Sequence, residues 1–299
     1  MPTDTQEKRI SHIAHKLGWT REKLIVEKTE LGNTNTSFLC QYGKEKYVFR
    51  IGTILTDKIS INRVNEFKSI KMLAGAQFSF DLVFFDETTG DMVSRYIEGQ
   101  SVTPEIYSTD KFIEDVSTVL RQIHGYKAEY AFLPLNDIEK RLALVVTNKT
   151  ALGEEFTAAY KHYSKISKKY TVGDESSRFI GFCHNDTYLS NFKYDAQGKL
   201  HLLDYEFSGM GDVFFDIACI AQTPCGKLSR DKRQCLIKGI VGECNQYLMD
   251  RLEDFIVIQL MWNYTWAVVK STENLKNKLK FSKIASEYLQ TLYEIENIP

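Results

Sequence analysis

The sequence has no apolar run long enough to cross a bilayer. It has no Cys-x-x-Cys pair: its six cysteines are scattered at 40, 183, 219, 225, 235 and 244, which excludes zinc ribbons and thioredoxin-like redox motifs. It has no excess of either charge, with 38 Lys and Arg against 39 Asp and Glu, so a nucleic-acid partner finds no electrostatic support. There is no internal repeat or low-complexity tract, and the opening Met1-Pro-Thr-Asp-Thr-Gln-Glu lacks a signal-peptide core. A cytoplasmic protein with reduced thiols and no membrane partner is the expectation. What is present is ample: 299 residues, 43% of them hydrophobic, suffice for one large domain or two lobes.

Chemistry concentrates between 179 and 218. Two polar clusters, His184-Asn185-Asp186 through Asn191 and Asp204-Tyr205-Glu206, end short apolar runs. Between them Phe192–Tyr194 and Lys199–Leu203 read as strands joined by the turn Asp195-Ala-Gln-Gly198, whose residue types favour turns. Such a hairpin brings Asn191 and Asp204 close, with Asp186 on the loop leading in. A carboxylate, a carboxamide five residues later and a second carboxylate beyond a hairpin form the kit phosphoryl transfer needs. One Asp orients a hydroxyl, while the Asn oxygen and the other Asp hold Mg²⁺ against nucleotide phosphates. If 204–206 is extended, Asp204 and Glu206 point one way and Tyr205 the other.

Elsewhere the pattern gives a helix over 4–17, a strand over Leu24–Glu30, the loop Leu31-Gly32-Asn33-Thr34-Asn35-Thr36, and strands at Ser37–Tyr42 and Lys46–Ile51. A helix follows over 61–73. Paired strands are expected at 82–85 and 91–96, and a single long helix from Thr103 to His124, with Pro104 in its first turn. Asp216 is expected to begin a helix. Phe255, Gln259, Trp262, Trp266 and Val269 share one helical face, a spacing that a buried core stripe also produces.

His-Asn-Asp-x4-Asn, then Leu-Leu-Asp-Tyr-Glu-Phe-Ser-Gly-Met-Gly-Asp and Phe-Asp-Ile-Ala, resembles the choline/ethanolamine kinase family, most closely its bacterial choline kinase branch. That resemblance implies an α+β, two-lobed protein-kinase-like fold, with an N-lobe over 1–96 and a mainly helical C-lobe over 97–299. It implies ATP and Mg²⁺ as cofactors and choline as the small-molecule acceptor, with ethanolamine, thiamine or an aminoglycoside as alternatives. An inactive nucleotide-binding scaffold is a further alternative. Asn33, Thr34 and Asn35 would cover phosphates, Arg50 would grip them with Glu66 as its partner, and the main chain of Ser94, Arg95 and Tyr96 would meet adenine. Asp186 would be the catalytic carboxylate, Asn191 and Asp204 the metal ligands, and Asp216 a brace for the catalytic loop. Glu206, Phe207, Trp262 and Trp266 would receive a cationic amine. The family's late helix carries Trp-x-x-Trp; here Trp266 fits the second position, Asn263 stands at the first, and Trp262 precedes it.

Overall fold

The computed structural model describes residues 2–31, 34–53, 56–147, 153–171, 178–224, 226–272 and 275–296. In chain order the elements used below are α1 (Asp4–Lys16), β1 (Leu24–Leu31), β2 (Thr36–Tyr42), β3 (Glu45–Ile51), α2 (Arg63–Met72), β4 (Leu82–Phe85), β5 (Met92–Arg95), β6 (Gly99–Ser101), α3 (Pro104–Tyr107), α4 (Asp110–His124), α5 (Pro134–Thr147) and α6 (Glu154–Thr171). They continue with β7 (Ile180–Cys183), β8 (Phe192–Asp195), β9 (Leu200–Leu202), β10 (Gly209–Asp212), α7 (Val213–Ala221), α8 (Arg230–Val241), α9 (Gln246–Ser271) and α10 (Leu275–Glu296). Two compact units emerge. The first comprises residues 1–57, 61–102 and 190–206, and the second 58–60, 103–189 and 207–299.

The first unit is built on an antiparallel sheet in the order β1-β2-β3-β5-β4. Alternation sets its faces: Phe38, Cys40, Tyr47, Phe49 and Ile51 pack against Ile10, Ile13 and Ala14 of α1. A Thr3 hydroxyl and the Gln6 side chain form a reciprocal cap at the start of α1. Burying each such isoleucine or phenylalanine is worth roughly 1.5–3 kcal/mol, so α1 is held by packing more than by propensity. Trp19 belongs to this core, stacked on Tyr42 with centroids 4.6 Å apart. A second sheet, in the order β6-β8-β9, carries the hairpin expected from the sequence. Gly99 lets β6 approach β8: a Cβ there would fall 1.9 Å from the Tyr194 carbonyl oxygen. His201 pins the hairpin, with one ring nitrogen 2.9 Å from Ser79 O and the other 2.9 Å from Asp195.

The second unit is mainly helical and centres on α9, whose buried residues run from Leu248 to Lys270 on nearly every face. Asn245 caps it, accepting from Leu248 N at 3.0 Å. The helix expected over 103–124 is in fact two. Thr103 caps α3 and Thr109 caps α4, so the chain restarts at a second capping hydroxyl. Likewise α7 begins at Val213, with Asp212 accepting from Phe214 N at 3.0 Å, and Asp216 lies within its first turn. No helix among the described residues is long and apolar enough to cross a membrane.

Candidate active site

The first unit holds a five-member charge cluster, buried except at Asp204. Arg50 points off β3 and its Nη1 lies 2.5 Å from Glu66 Oε1 and 2.9 Å from Asp204 Oδ1, while Nη2 donates to Gly90 O at 3.1 Å. Arg63, one turn before Glu66 on α2, donates to Glu66 Oε2 at 2.7 Å and to Glu206 Oε2 at 3.1 Å. Glu66 therefore bridges two guanidinium groups through its two oxygens. Burial alone would lower the Arg50 pKa, but Glu66 and Asp204 together outweigh it and the net shift is upward. Glu206 moves the other way from the usual carboxylate. Burial, then Asp204 and Glu66, push it from the ordinary 4.5 up to about 8 against the pull of Arg63 and Arg50. Gly90, at φ +70, backs the cluster: a Cβ there would sit 2.2 Å from Arg63 Nε.

Asp204 also departs from strand geometry. With φ at 64°, it ends the extended run, so the alternation expected across 204–206 does not apply. Asp tolerates this region better than most residues, and such strain gathers at functional positions. Both carboxylates nonetheless reach the cluster, Asp204 at Arg50 and Glu206 at Arg63. The Asp204 side chain keeps 30% exposure, while that of Glu206 is buried. Asn191 immediately precedes β8, and its carbonyl accepts from Leu203 N at 2.8 Å, which fixes the backbone of 191 beside the residue preceding Asp204.

The loop residues divide. Asn33 lies outside the described residues. Thr34 is half-buried, whereas Asn35 is buried, with Oδ1 accepting from Thr53 N and Arg63 Nη2, both at 3.1 Å, and Nδ2 donating to Glu206 at 2.8 Å. Of the main chain at 94–96, Arg95 N donates to Asp81 O at 2.9 Å and Tyr96 N to Lys46 O at 3.0 Å.

In the second unit the loop after β7 is fixed by Asp216. This buried carboxylate accepts from His184 N at 2.9 Å and Asn185 N at 2.6 Å, and His124 Nε2 lies 2.9 Å from it. Thr187 Oγ1 donates to Asp216 O at 2.9 Å. Asn185 takes φ 64°, and its Nδ2 donates to Phe207 O at 3.0 Å. Asp186, half-buried, follows at the turn, its N–H donating to His184 Nδ1 at 3.2 Å. Tyr188 ties the loop to α9: Gln259 Nε2 donates to its hydroxyl at 2.6 Å, and Asn263 Nδ2 donates to the same oxygen. Burial raises the Tyr188 pKa, so it stays a phenol. Asp212, beside Arg251, is pushed up to about 6 by burial despite that partner.

Phe207, Trp262 and Trp266 also lie in this unit. Phe207 and Trp262 meet edge to face at 5.2 Å. Trp266 instead packs on Phe281 of α10, at 5.4 Å. Sequence reasoning left out Arg63, His124 and Tyr188. Only Arg63 had a visible cue, its spacing three before Glu66; the other two act through tertiary contacts.

The sequence matches the family model for choline/ethanolamine kinase over residues 26–222. The chain belongs to the choline/ethanolamine kinase family. Among relatives, protein LicA of Haemophilus influenzae is 25% identical over 222 residues, 72% of this chain. The chain spans less than two thirds of that protein's length, 62%. Solved structures agree on the fold. A choline/ethanolamine kinase family protein from Mesorhizobium loti superposes with a TM-score of 0.77 at 22% identity, covering 100% of this chain and 96% of that one. A structure of LicA in complex with AMP gives 0.74 at 19% identity, covering 97% of this chain and 100% of that one. The two-lobed, α+β kinase-like fold expected for the family is the fold found.

Proposed function

We propose that this chain transfers the terminal phosphoryl group of ATP to the hydroxyl of a small amine alcohol. The observation that carries the reading is the loop at 184–186. Asp216 spends its carboxylate on two consecutive backbone N–H groups, and Asn185 is forced to a left-handed φ, so that Asp186 is presented by a rigid turn. A surface loop has no need of such bracing.

In this reading Asp186 orients the acceptor hydroxyl and takes its proton. Positioning matters more than basicity there, because a loose phosphoryl-transfer transition state needs little activation of the nucleophile. Asn191 and Asp204 suit Mg²⁺: both offer hard oxygen donors, and with Glu206 holding its proton near neutral pH the two remaining carboxylates balance the two guanidinium groups, so a cation meets no net repulsion. When bound, the ion neutralises charge on the phosphates. Arg50, held by Glu66, adds a fixed cation toward the nucleotide, as a forked guanidinium can serve carboxylate and phosphate together. The AMP-bound LicA structure supports a nucleotide in this fold. Since the Asn35 side chain and the N–H groups of Arg95 and Tyr96 are already engaged, the nucleotide relies on backbone near Thr34 and on carbonyl groups at 94–96.

Choline is the acceptor the sequence pattern favours, with Phe207, Trp262 and Trp266 as aromatic walls. Ethanolamine is the second reading, favoured by the state of Trp262, whose ring face is taken by Arg141 at 4.4 Å. An ADP-release screen with Mg²⁺-ATP across choline, ethanolamine, thiamine and kanamycin tests the proposal. Turnover of either of the first two is expected. Turnover of kanamycin alone, or of none, would sink it.

A further inference from the structure

Arg141, on α5, is 1% exposed. Its guanidinium carbon lies 4.4 Å from a Trp262 ring centroid. Nη2 donates to Ile59 O at 2.9 Å and Nη1 to Trp262 O at 3.5 Å, while Nε makes no hydrogen bond among the described residues. Among those residues no carboxylate stands within ion-pair distance; the acid it feels is Asp137, one turn earlier on α5. Three further rings approach Trp262. Phe132 and Phe215 approach at 5.8 and 6.2 Å, and Phe207 at 5.2 Å. All these side chains are buried.

A buried guanidinium with a ring face and two carbonyls but no ion-pair partner is a costly filler of such an aromatic box. A methionine or leucine would occupy the space without a desolvated charge. A cation over an indole face is nonetheless attracted to it, and arginine stacks there better than lysine. A quaternary ammonium has no N–H and depends on such faces. With the face taken, it gains nothing from Trp262 and meets a like charge instead. The box also abuts the catalytic loop, since the Phe207 carbonyl accepts from Asn185 Nδ2.

We propose that Arg141 determines acceptor selectivity: its guanidinium is a built-in occupant of the Trp262 box, and the chain takes an amine alcohol bearing N–H groups in preference to a quaternary one. This deepens the amine-alcohol kinase reading and rests on it. Burial lowers the Arg141 pKa only to about 10, so the charge persists at neutral pH. An N–H-bearing ammonium binds through hydrogen bonds to oxygen acceptors and needs no free ring face.

The test uses the full chain and the variants Arg141→Ala and Arg141→Ser, which vacate the ring face, with folding followed by circular dichroism. Tryptophan fluorescence is titrated with tetramethylammonium chloride against a sodium chloride control. No saturable change is expected in the wild type, and a saturable quench is expected in the variants. In ADP-release assays the wild type should favour ethanolamine over choline in kcat/KM by about tenfold, and the variants should shift that ratio toward choline by about tenfold, the scale of one cation–aromatic contact. A wild type that prefers choline, or that binds tetramethylammonium as well as the variants do, overturns the proposal. Folded variants that show no quench overturn it too. Should both variants unfold, the wild-type ratio decides. Should neither amine be phosphorylated, the kinase reading fails, while the fluorescence titration still reports separately whether Arg141 blocks the box.

Discussion

Two regions of this molecule bury arginine, and they solve the problem in opposite ways. In the first unit Arg50 and Arg63 are surrounded by Glu66, Asp204 and Glu206, and the Arg50 pKa rises. In the second unit Arg141 has the Trp262 ring face and two carbonyl oxygens but, among the described residues, no acid at contact distance, and its pKa falls to about 10. Burial acts on both with the same sign; the neighbours decide the outcome. The first arrangement is balanced when Glu206 holds its proton, so a metal ion or a cationic ligand meets no net repulsion there. The second leaves surplus positive charge, hostile to one.

The largest expected effect is chemical and leaves both regions untouched. Asp186→Ala should cut phosphorylation by roughly 10²–10⁴-fold with an unchanged thermal midpoint, measured by ADP release and calorimetry. A catalytically inert scaffold would be indifferent to the change. The comparison itself is tested by replacing each arginine with methionine. Arg50→Met takes from buried Glu66 one of its two guanidinium partners and should cost about 3–5 kcal/mol in urea unfolding, whereas Arg141→Met removes a charge without an ion-pair partner and should be near neutral or stabilising. Equal losses at the two positions would erase the distinction. Tyr188→Phe leaves the Gln259 and Asn263 amides without their shared acceptor, and should cost about 1–3 kcal/mol.

The smallest effect, taken per pH unit, is a slope. Glu206 has a folded pKa near 8 against an ordinary 4.5, so between those values the native state holds a proton that the unfolded state has released. Stability therefore falls as pH rises through that window, by up to about 1.4 kcal/mol per pH unit for one proton. Glu206→Gln should flatten the dependence of the thermal midpoint on pH between 5 and 8. An unaltered slope would mean that Arg63 keeps Glu206 ionised throughout.

Much of this was legible in the sequence, and the failures share a cause. Alternating β-strands and the turn at Asp195–Gly198 announced the hairpin, because pleat and turn chemistry are local. The run His184–Asn191 announced the loop for the same reason. Local signals could not reveal that Thr109 restarts the helix, since an unbroken apolar stripe from Phe112 to Ile123 masks a second cap upstream. Nor could they reveal that Asp204 takes a left-handed φ and meets a guanidinium 154 residues away in sequence. The departure at Asn263, where the family pattern has tryptophan, makes sense only with the fold in hand: its amide donates to Tyr188 on the loop after β7. Arg141 gave no cue at all, since a basic residue on an amphipathic helix usually faces water.

The turn joining β4 to β5 has a practical consequence. It lies between strands, is rich in Asp, Thr and Gly, and looks like a tolerant place to graft a tag or a fluorescent reporter. Yet Gly90 presses its α-carbon on Arg63 while its carbonyl receives Arg50. Labelling chemistry aimed at this bend has room at Glu87 or Thr88, both exposed, and none two residues further on.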